Sequence, residues 1–533
     1  MTALTILLVV ISATVVSVPL ADKLRLPYPI LLLVFGLVLG YLPGVPMLEP
    51  DPELILPLVL PPLLYSAARR TSWAELTRNW RAIGLLAVAL VLVTAFAVGA
   101  VMQALVPGLP FAAVLVLGAM VGPPDPVAAT AVAAQLNLPR RLTTVLVGEG
   151  VSNDATALIL YEVALAAVVT GAFSAWSAGG LFVLSGVVGI AVGLALAWGS
   201  RRLLDLLPSE ATRPAATLIT PFVAYLAADV LHGSGVLAVV VLALSLARTE
   251  DSAGAVARTQ AGALWQVIDL LVTGVAFSFV GFELRAIVEL GPDDTGALIT
   301  QIAVISAVVI VVRFLWILPV GWLTEHTRLL GGHDEESPVG WRELLVASWS
   351  GMRGVVTLAT ALALPTTVDG GGDFPERDRL IAIAFGVTVV TLLLQGLTLP
   401  LLVRWLGVQT SPHENRAAER ELTARALSAG KDRLHQMRDD GSAPADLVEE
   451  AIDNTRALMH RLDTEIGDVD DAAAEQQRIA TLAELEAEML AAARRAVIDA
   501  RRESGADPRV VDVVLSQLDA KGMQPRAVPQ AEE

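Results

Sequence analysis

Residues 148–156 read GEGVSNDAT, and they lie inside one of the most apolar regions of the chain. Glu149, Asn153 and Asp154 therefore stand where water should be absent. An ionised carboxylate in hydrocarbon costs several kcal/mol, so a membrane segment that carries two of them needs a reason. Composition establishes that the segment is indeed in a membrane. A chain of 533 residues with 54% hydrophobic and only 17% charged residues, and a mean hydropathy of +0.63, is too oily for a soluble protein of its size. It reads as an all-α polytopic membrane protein.

A span needs about 20 apolar residues, and that ruler gives about thirteen spans. They lie near 3–20, 28–42, 52–68, 82–106, 110–134, 141–171, 177–200, 214–231, 234–247, 262–290, 297–323, 342–365 and 379–407. The first apolar run lacks a basic leader and a small-residue cleavage site, so it reads as a transmembrane helix rather than a signal sequence. Basic residues resist translocation, which orients the spans. Lys23 with Arg25, Arg69 with Arg70, Arg78 and Arg81, Arg140 with Arg141, Arg201 with Arg202, Arg248 with Arg258, and Arg328 with Arg342 fall in alternate loops. The intervening loops, such as PGVPMLEPDPE and LGPDDTG, are neutral or acidic. The expected arrangement is an odd number of spans, an N-terminus outside and a cytoplasmic tail.

Two domains follow: a membrane domain over 1–410 and a helical tail over 411–533. After Gly407 the composition turns to Ala, Glu, Asp and Arg, with apolar residues at helical spacing. The tail carries more than half of the net charge of -17. Its mixed charges have no ligand signature, so a role in stability or dimerisation weighs as much as a regulatory one. There is no cysteine, which excludes disulfides and thiolate metal sites. No phosphate loop, metal cluster or basic nucleic-acid patch stands out. Neither a cofactor nor a nucleic-acid partner is expected.

Two segments break the run of plain apolar helices. In VLGAMVGPPDPVAATAV, Pro123, Pro124 and Pro126 surround Asp125 in the middle of the fifth span. Proline lacks an amide donor and clashes with the preceding turn, so this helix should unwind near the bilayer centre. Irregular backbone at that depth lines a cavity or is buried in protein, and its freed carbonyls are available to a cation. Asp125 would also serve as a cap on the half-helix that follows. The second break is SWSGMRGVVTLATALALP in the twelfth span, where Arg353 sits between Gly351 and Gly354. An arginine is not neutralised by losing its proton, so it needs a buried anion. The intramembrane candidates are Asp125, Glu149, Asp154, Glu162, Asp229, Asp269 and Glu283. On a helix, Glu149 and Asn153 differ by about 40° and Glu149 and Asp154 by about 140°. One carboxylate of the opening stretch is thus placed to neutralise Arg353, while the other stays free to exchange its proton for a metal cation.

GPPDPVAA, then GEGVSNDATALILY, FSFVGFELR, VVRFLWILP and SGMRGVVTLA, in this order and spacing, resemble the sodium/proton exchangers of the cation/proton antiporter superfamily, on the bacterial NhaP and animal NHE side. PPLLYSAA and HGSGVLAVVVLAL fit the same resemblance, which covers about 1–410. It implies a thirteen-helix transporter of two inverted repeats, with the fifth and twelfth spans unwound and crossing at the site. It makes Asp154 the cation-binding and proton-carrying carboxylate, with Asn153 its neighbour, and Asp125 and the Pro124 backbone the contribution of the crossover. Asp154 and Asp125 are then the carboxylates for the metal ion. It makes Glu149 the structural partner of Arg353. Three positions depart from the family pattern. Pro124 stands where many relatives have threonine, Ser66 where many place an acid, and Gly150 where some have a cation-binding serine.

The implied activity is exchange of protons for Na+, or K+ or Li+, by a secondary transporter in the plasma membrane, serving pH homeostasis. It is not an enzyme, and a homodimer is expected. Asn153 in place of a second aspartate implies one-for-one, electroneutral exchange. Two rival readings remain open: an intramembrane aspartyl protease built on Asp125 and Asp154, and a cation channel. The protease reading lacks a Gly-x-Gly-Asp-type motif and leaves Arg353 unexplained. His232, Asp269 and Glu283 read as structural residues.

Overall fold

The structure, a computed structural model, describes residues 3–24, 26–42, 52–69, 84–125, 138–171, 175–207, 212–250, 255–288, 292–326, 340–369, 371–409, 428–441, 444, 448–449 and 451. The chain forms two compact units, Met1–Gln409 and Thr410–Glu533. In the second, residues 428–439 are helical.

The described part of the first unit is helical, with α1 at Ala3–Leu24, α2 at Tyr28–Gly40, α3 at Pro52–Arg69 and α4 at Val91–Leu105, the last preceded by a π-helical stretch at Leu85–Leu90. Next come α5 at Phe111–Val121, α6 at Arg140–Thr170, α7 at Ala175–Leu206, α8 at Thr212–Val230, α9 at Gly235–Glu250 and α10 at Ala255–Val288. The last are α11 at Pro292–His326, α12 at Trp341–Trp349, α13 at Val355–Leu362 and α14 at Arg377–Leu406. Among the described residues, six helical stretches are long and apolar enough to cross a membrane, including Gly148–Thr170, Thr295–Trp322 and Arg377–Leu406. Five shorter helices are also apolar.

In lipid there is no hydrophobic force between helices, so close packing of small residues takes over. The contact of α2 with α10 illustrates this. A Cβ on Gly36 would fall 1.8 Å from the Ser278 carbonyl oxygen, and one on Gly281 would fall 1.9 Å from that of Leu33. Large apolar side chains such as Val187, Trp198, Leu315 and Leu401 are exposed, as lipid-facing residues are.

Helix α6 lies at the centre of the fold. Its Leu160, Tyr161 and Ala164 belong to a large apolar core with α4, α5, α11 and α14. Ala155 and Leu158 belong to a second core with α3, α8 and α9. The Asn153–Asp154 pair thus sits next to the seam between two packed groups of helices.

Both expected breaks are present. Helix α5 stops at Val121 and is followed by non-helical Gly122–Asp125, as two successive prolines without amide donors require. The second half of the expected fifth span falls on 126–137, outside the described residues. The twelfth span is two short helices, α12 and α13, joined by non-helical Ser350–Gly354.

Candidate cation site

The two breaks meet. The backbone N–H of Asp125 donates to the Met352 carbonyl at 2.7 Å, and the Asp125 Oδ2 accepts from the Val355 N–H at 3.1 Å. Val355 is the first residue of α13, so the Asp125 carboxylate caps a helix N-terminus, where free amides and the dipole favour negative charge. The half-helix it was expected to cap lies outside the described residues; the bond seen runs instead to the opposite broken helix. A side chain on Gly354 would collide with this carboxylate, so glycine is what admits the cap.

Arg353 provides the reciprocal contact. Its Nε donates to the Val121 carbonyl at 2.8 Å and its Nη2 to the Gly122 carbonyl at 3.1 Å. Its Nη1 reaches the Gly351 carbonyl. Val121 and Gly122 are the end of α5, where unpaired carbonyls carry the negative pole of the helix dipole. The Arg353 backbone N–H is held by the Thr391 hydroxyl of α14 at 3.2 Å. Each broken helix is therefore terminated by a charged side chain from the other.

This corrects one expectation. Glu149 pairs with Arg313 of α11, not with Arg353. Arg313 Nη1 and Nη2 grip both carboxylate oxygens, the second at 2.9 Å, and Nε and Nη2 also donate to the Ala347 carbonyl at 3.2 and 3.0 Å. Arg353 finds its acceptors in helix-end carbonyls and needs no carboxylate. Arg313 lies in neither a loop nor a broken segment, the two settings in which the sequence draws attention to an arginine. The signal was present: VVRFLWILP places an arginine deep in the eleventh span, where the demand for a buried anion is the same.

Asn153 and Asp154 are both buried on α6. The Asn153 Nδ2 donates to the Pro124 carbonyl at 3.3 Å, which ties α6 to the first break. Its Oδ1 is buried with no hydrogen-bond partner. Among the described residues, no hydrogen bond or ion pair reaches the Asp154 carboxylate. Ser66 is buried on α3, whose Leu64, Tyr65 and Ala68 pack in one cluster with Ala155 and Leu158 of α6 and Ala359 of α13. Of the remaining acids, Glu162 and Asp229 are exposed. His232 adopts a positive φ of 56° in the turn after α8, a helix-terminating conformation.

A family model described as a transmembrane sodium/hydrogen exchanger matches residues 9–405. The chain belongs to the sodium/hydrogen exchanger family. It is 36% identical over 460 residues to an uncharacterized Na(+)/H(+) exchanger of Mycobacterium tuberculosis, a match that covers 84% of this chain and 82% of that one. A sodium, potassium, lithium and rubidium/H(+) antiporter of Bacillus pumilus is 32% identical over 389 residues, or 71% of this chain and 58% of the relative. The fold is that of the sodium proton antiporter MjNhaP1 from Methanocaldococcus jannaschii, with a TM-score of 0.59 at 19% identity over 76% of this chain and 98% of that one. The exchanger is therefore a secondary active transporter of a monovalent cation and protons, not an enzyme.

Proposed function

We propose that Asp154 is the group on which proton and cation alternate. The observation that carries this reading is how the three carboxylates at the crossing differ. Glu149 is bound by Arg313 and Asp125 by the N-terminal amide of α13, whereas Asp154 has no such bond among the described residues. A sodium ion, or potassium or lithium, is a hard cation that prefers oxygen ligands. The oxygens proposed to receive it are those of Asp154, the unpartnered Asn153 Oδ1, the Pro124 carbonyl that Asn153 already touches, and the buried Ser66, with Asp125 as the second carboxylate.

The exchange cycle follows from one carboxylate serving two ligands. With only the occupied states crossing the membrane, competition between proton and metal becomes exchange, and a proton gradient drives the metal outward. Two inverted repeats rocking about this midplane site give alternating access. Asn153 does not titrate, and Asp125 and Glu149 are held in place, so one charge moves each way and the cycle is electroneutral. The protein is a homodimer in the plasma membrane, with its N-terminus outside and its tail inside.

Purified protein in proteoliposomes, given a pH gradient and each alkali cation in turn, tests this. Sodium should dissipate the gradient, and Asp154→Asn should abolish the effect while the protein still assembles, because an amide does not release a proton. Near-normal exchange by that variant would remove Asp154 as carrier. With the potential clamped by potassium and valinomycin, the sodium-driven rate should be the same at zero and at inside-negative voltage. Acceleration by voltage would mean that a second acid, Asp125 first, takes part.

A further inference from the structure

A recessed apolar furrow runs between α11 and α14, and neither Asn153 nor Asp154 lines it. It consists of two cavities that share Trp349 as their waist. One, of about 620 Å³, is lined by α11 from Ile299 to Val311 and by α14 from Gly386 to Leu394. The other, of about 380 Å³, continues along α14 from Thr398 to Trp405. Trp349 is fixed there by a 2.8 Å bond from its Nε1 to the Thr398 hydroxyl and by edge contact with Phe314.

The furrow has a polar end and an apolar end. Trp405 is 81% exposed and Trp341 61%, and exposed tryptophans of a membrane protein sit at headgroup level. Arg404 is exposed at the same end. Arg342 is held there, its Nη1 donating to the Leu406 carbonyl at 3.3 Å and its guanidinium lying 5.5 Å from the Trp341 ring centre. Glu343 lines the same rim. From Trp405 to Leu394 is about 16 Å of helix, close to half of the roughly 30 Å hydrocarbon core. A chain as long as one leaflet, starting at Trp405, thus passes Trp349 and ends in the larger cavity.

We propose that this furrow binds one anionic phospholipid, with an acyl chain along α14 and the phosphate on Arg404 and Arg342. The lipid would brace α11 against α14, the helices that carry Arg313 and Thr391. The inference does not depend on which residue carries the proton.

Full-length protein in mild detergent, titrated with phosphatidylglycerol or with phosphatidylcholine of the same acyl chains and read by native mass spectrometry, tests the site. One phosphatidylglycerol should be retained with about thirtyfold preference, the order expected for two arginines at a membrane surface. Arg342→Gln with Arg404→Gln should erase the preference. Ala303→Phe with Ala307→Phe fills the furrow from two exposed positions and should abolish retention of either lipid. Equal retention of both lipids by the unaltered protein, or undiminished retention by the phenylalanine variant, overturns the proposal. So does a phenylalanine variant that becomes monomeric while its lipid count stays the same, since the furrow would then seat a second copy of the chain.

Discussion

Arg313 and Arg353 are 2% and 1% exposed, lie within one membrane domain, and are satisfied in different ways. Arg313 is held by a carboxylate, with a carbonyl in support. Arg353 is held by the carbonyls that end a broken helix and by that of Gly351. A full charge answers the first and a helix terminus the second. The difference teaches that a broken membrane helix is itself a counter-charge. Its free carbonyls neutralise a cation and its free amides an anion, as Asp125 on α13 shows.

The largest effect should come from splitting the ionic pair. Arg313→Ala, or Glu149→Ala, strands a buried charge and should lower unfolding stability by roughly 3–5 kcal/mol. The double variant should lose far less than the sum, read as thermal unfolding of purified protein in detergent. Additive losses would deny the pairing.

Arg353→Ala should be milder, at about 2 kcal/mol, because it removes charged hydrogen bonds but strands no opposite charge. Combined with Glu149→Ala it should show far weaker coupling than the Arg313–Glu149 pair in the same assay, which separates the two arginines. A strong coupling there would restore Arg353 as the partner of Glu149. Arg353→Lys should recover only part of the loss, since an ammonium lacks the planar fork that reaches two carbonyls at once.

Asp125→Asn should change stability by no more than a few tenths of a kcal/mol, because asparagine caps a helix about as well as aspartate, whereas Asp125→Ala should cost about 1 kcal/mol. A large loss of stability in the asparagine variant would mean that the charge, and not the cap, is what α13 requires. The smallest effect belongs to truncation after Ser411. No candidate site residue lies beyond it, so the maximal sodium-driven rate should be unchanged, with any effect confined to a shift of the rate's pH profile or to the stability of the purified protein. A folded truncated protein that does not exchange would bring the tail into the mechanism.

Much of this was legible in the sequence because the bilayer leaves few options. Apolar runs of span length gave helices near their expected limits, from α1 at Ala3–Leu24 to α14 at Arg377–Leu406. The prolines before and after Asp125 and the glycines on either side of Arg353 announced the two breaks, since backbone chemistry acts locally. The choice of partners was not legible. Helix geometry separated Glu149 from Asp154 by direction, but the arginine expected for Glu149 was Arg353, whereas the packing brings it to Arg313.

What the sequence determined by itself was therefore local: an all-helical membrane chain, two interrupted spans, and a carboxylate-rich stretch too costly to be there without a purpose. Those features depend on hydrophobicity, proline and glycine, which act within a few residues. Only the tertiary structure decided that Glu149 faces Arg313 across 164 positions of chain, that Arg353 closes the end of α5 across 232, and that Asp125 caps α13 across 230. A buried charge is satisfied by any acceptor of the right polarity within reach, and reach is set by how the helices pack.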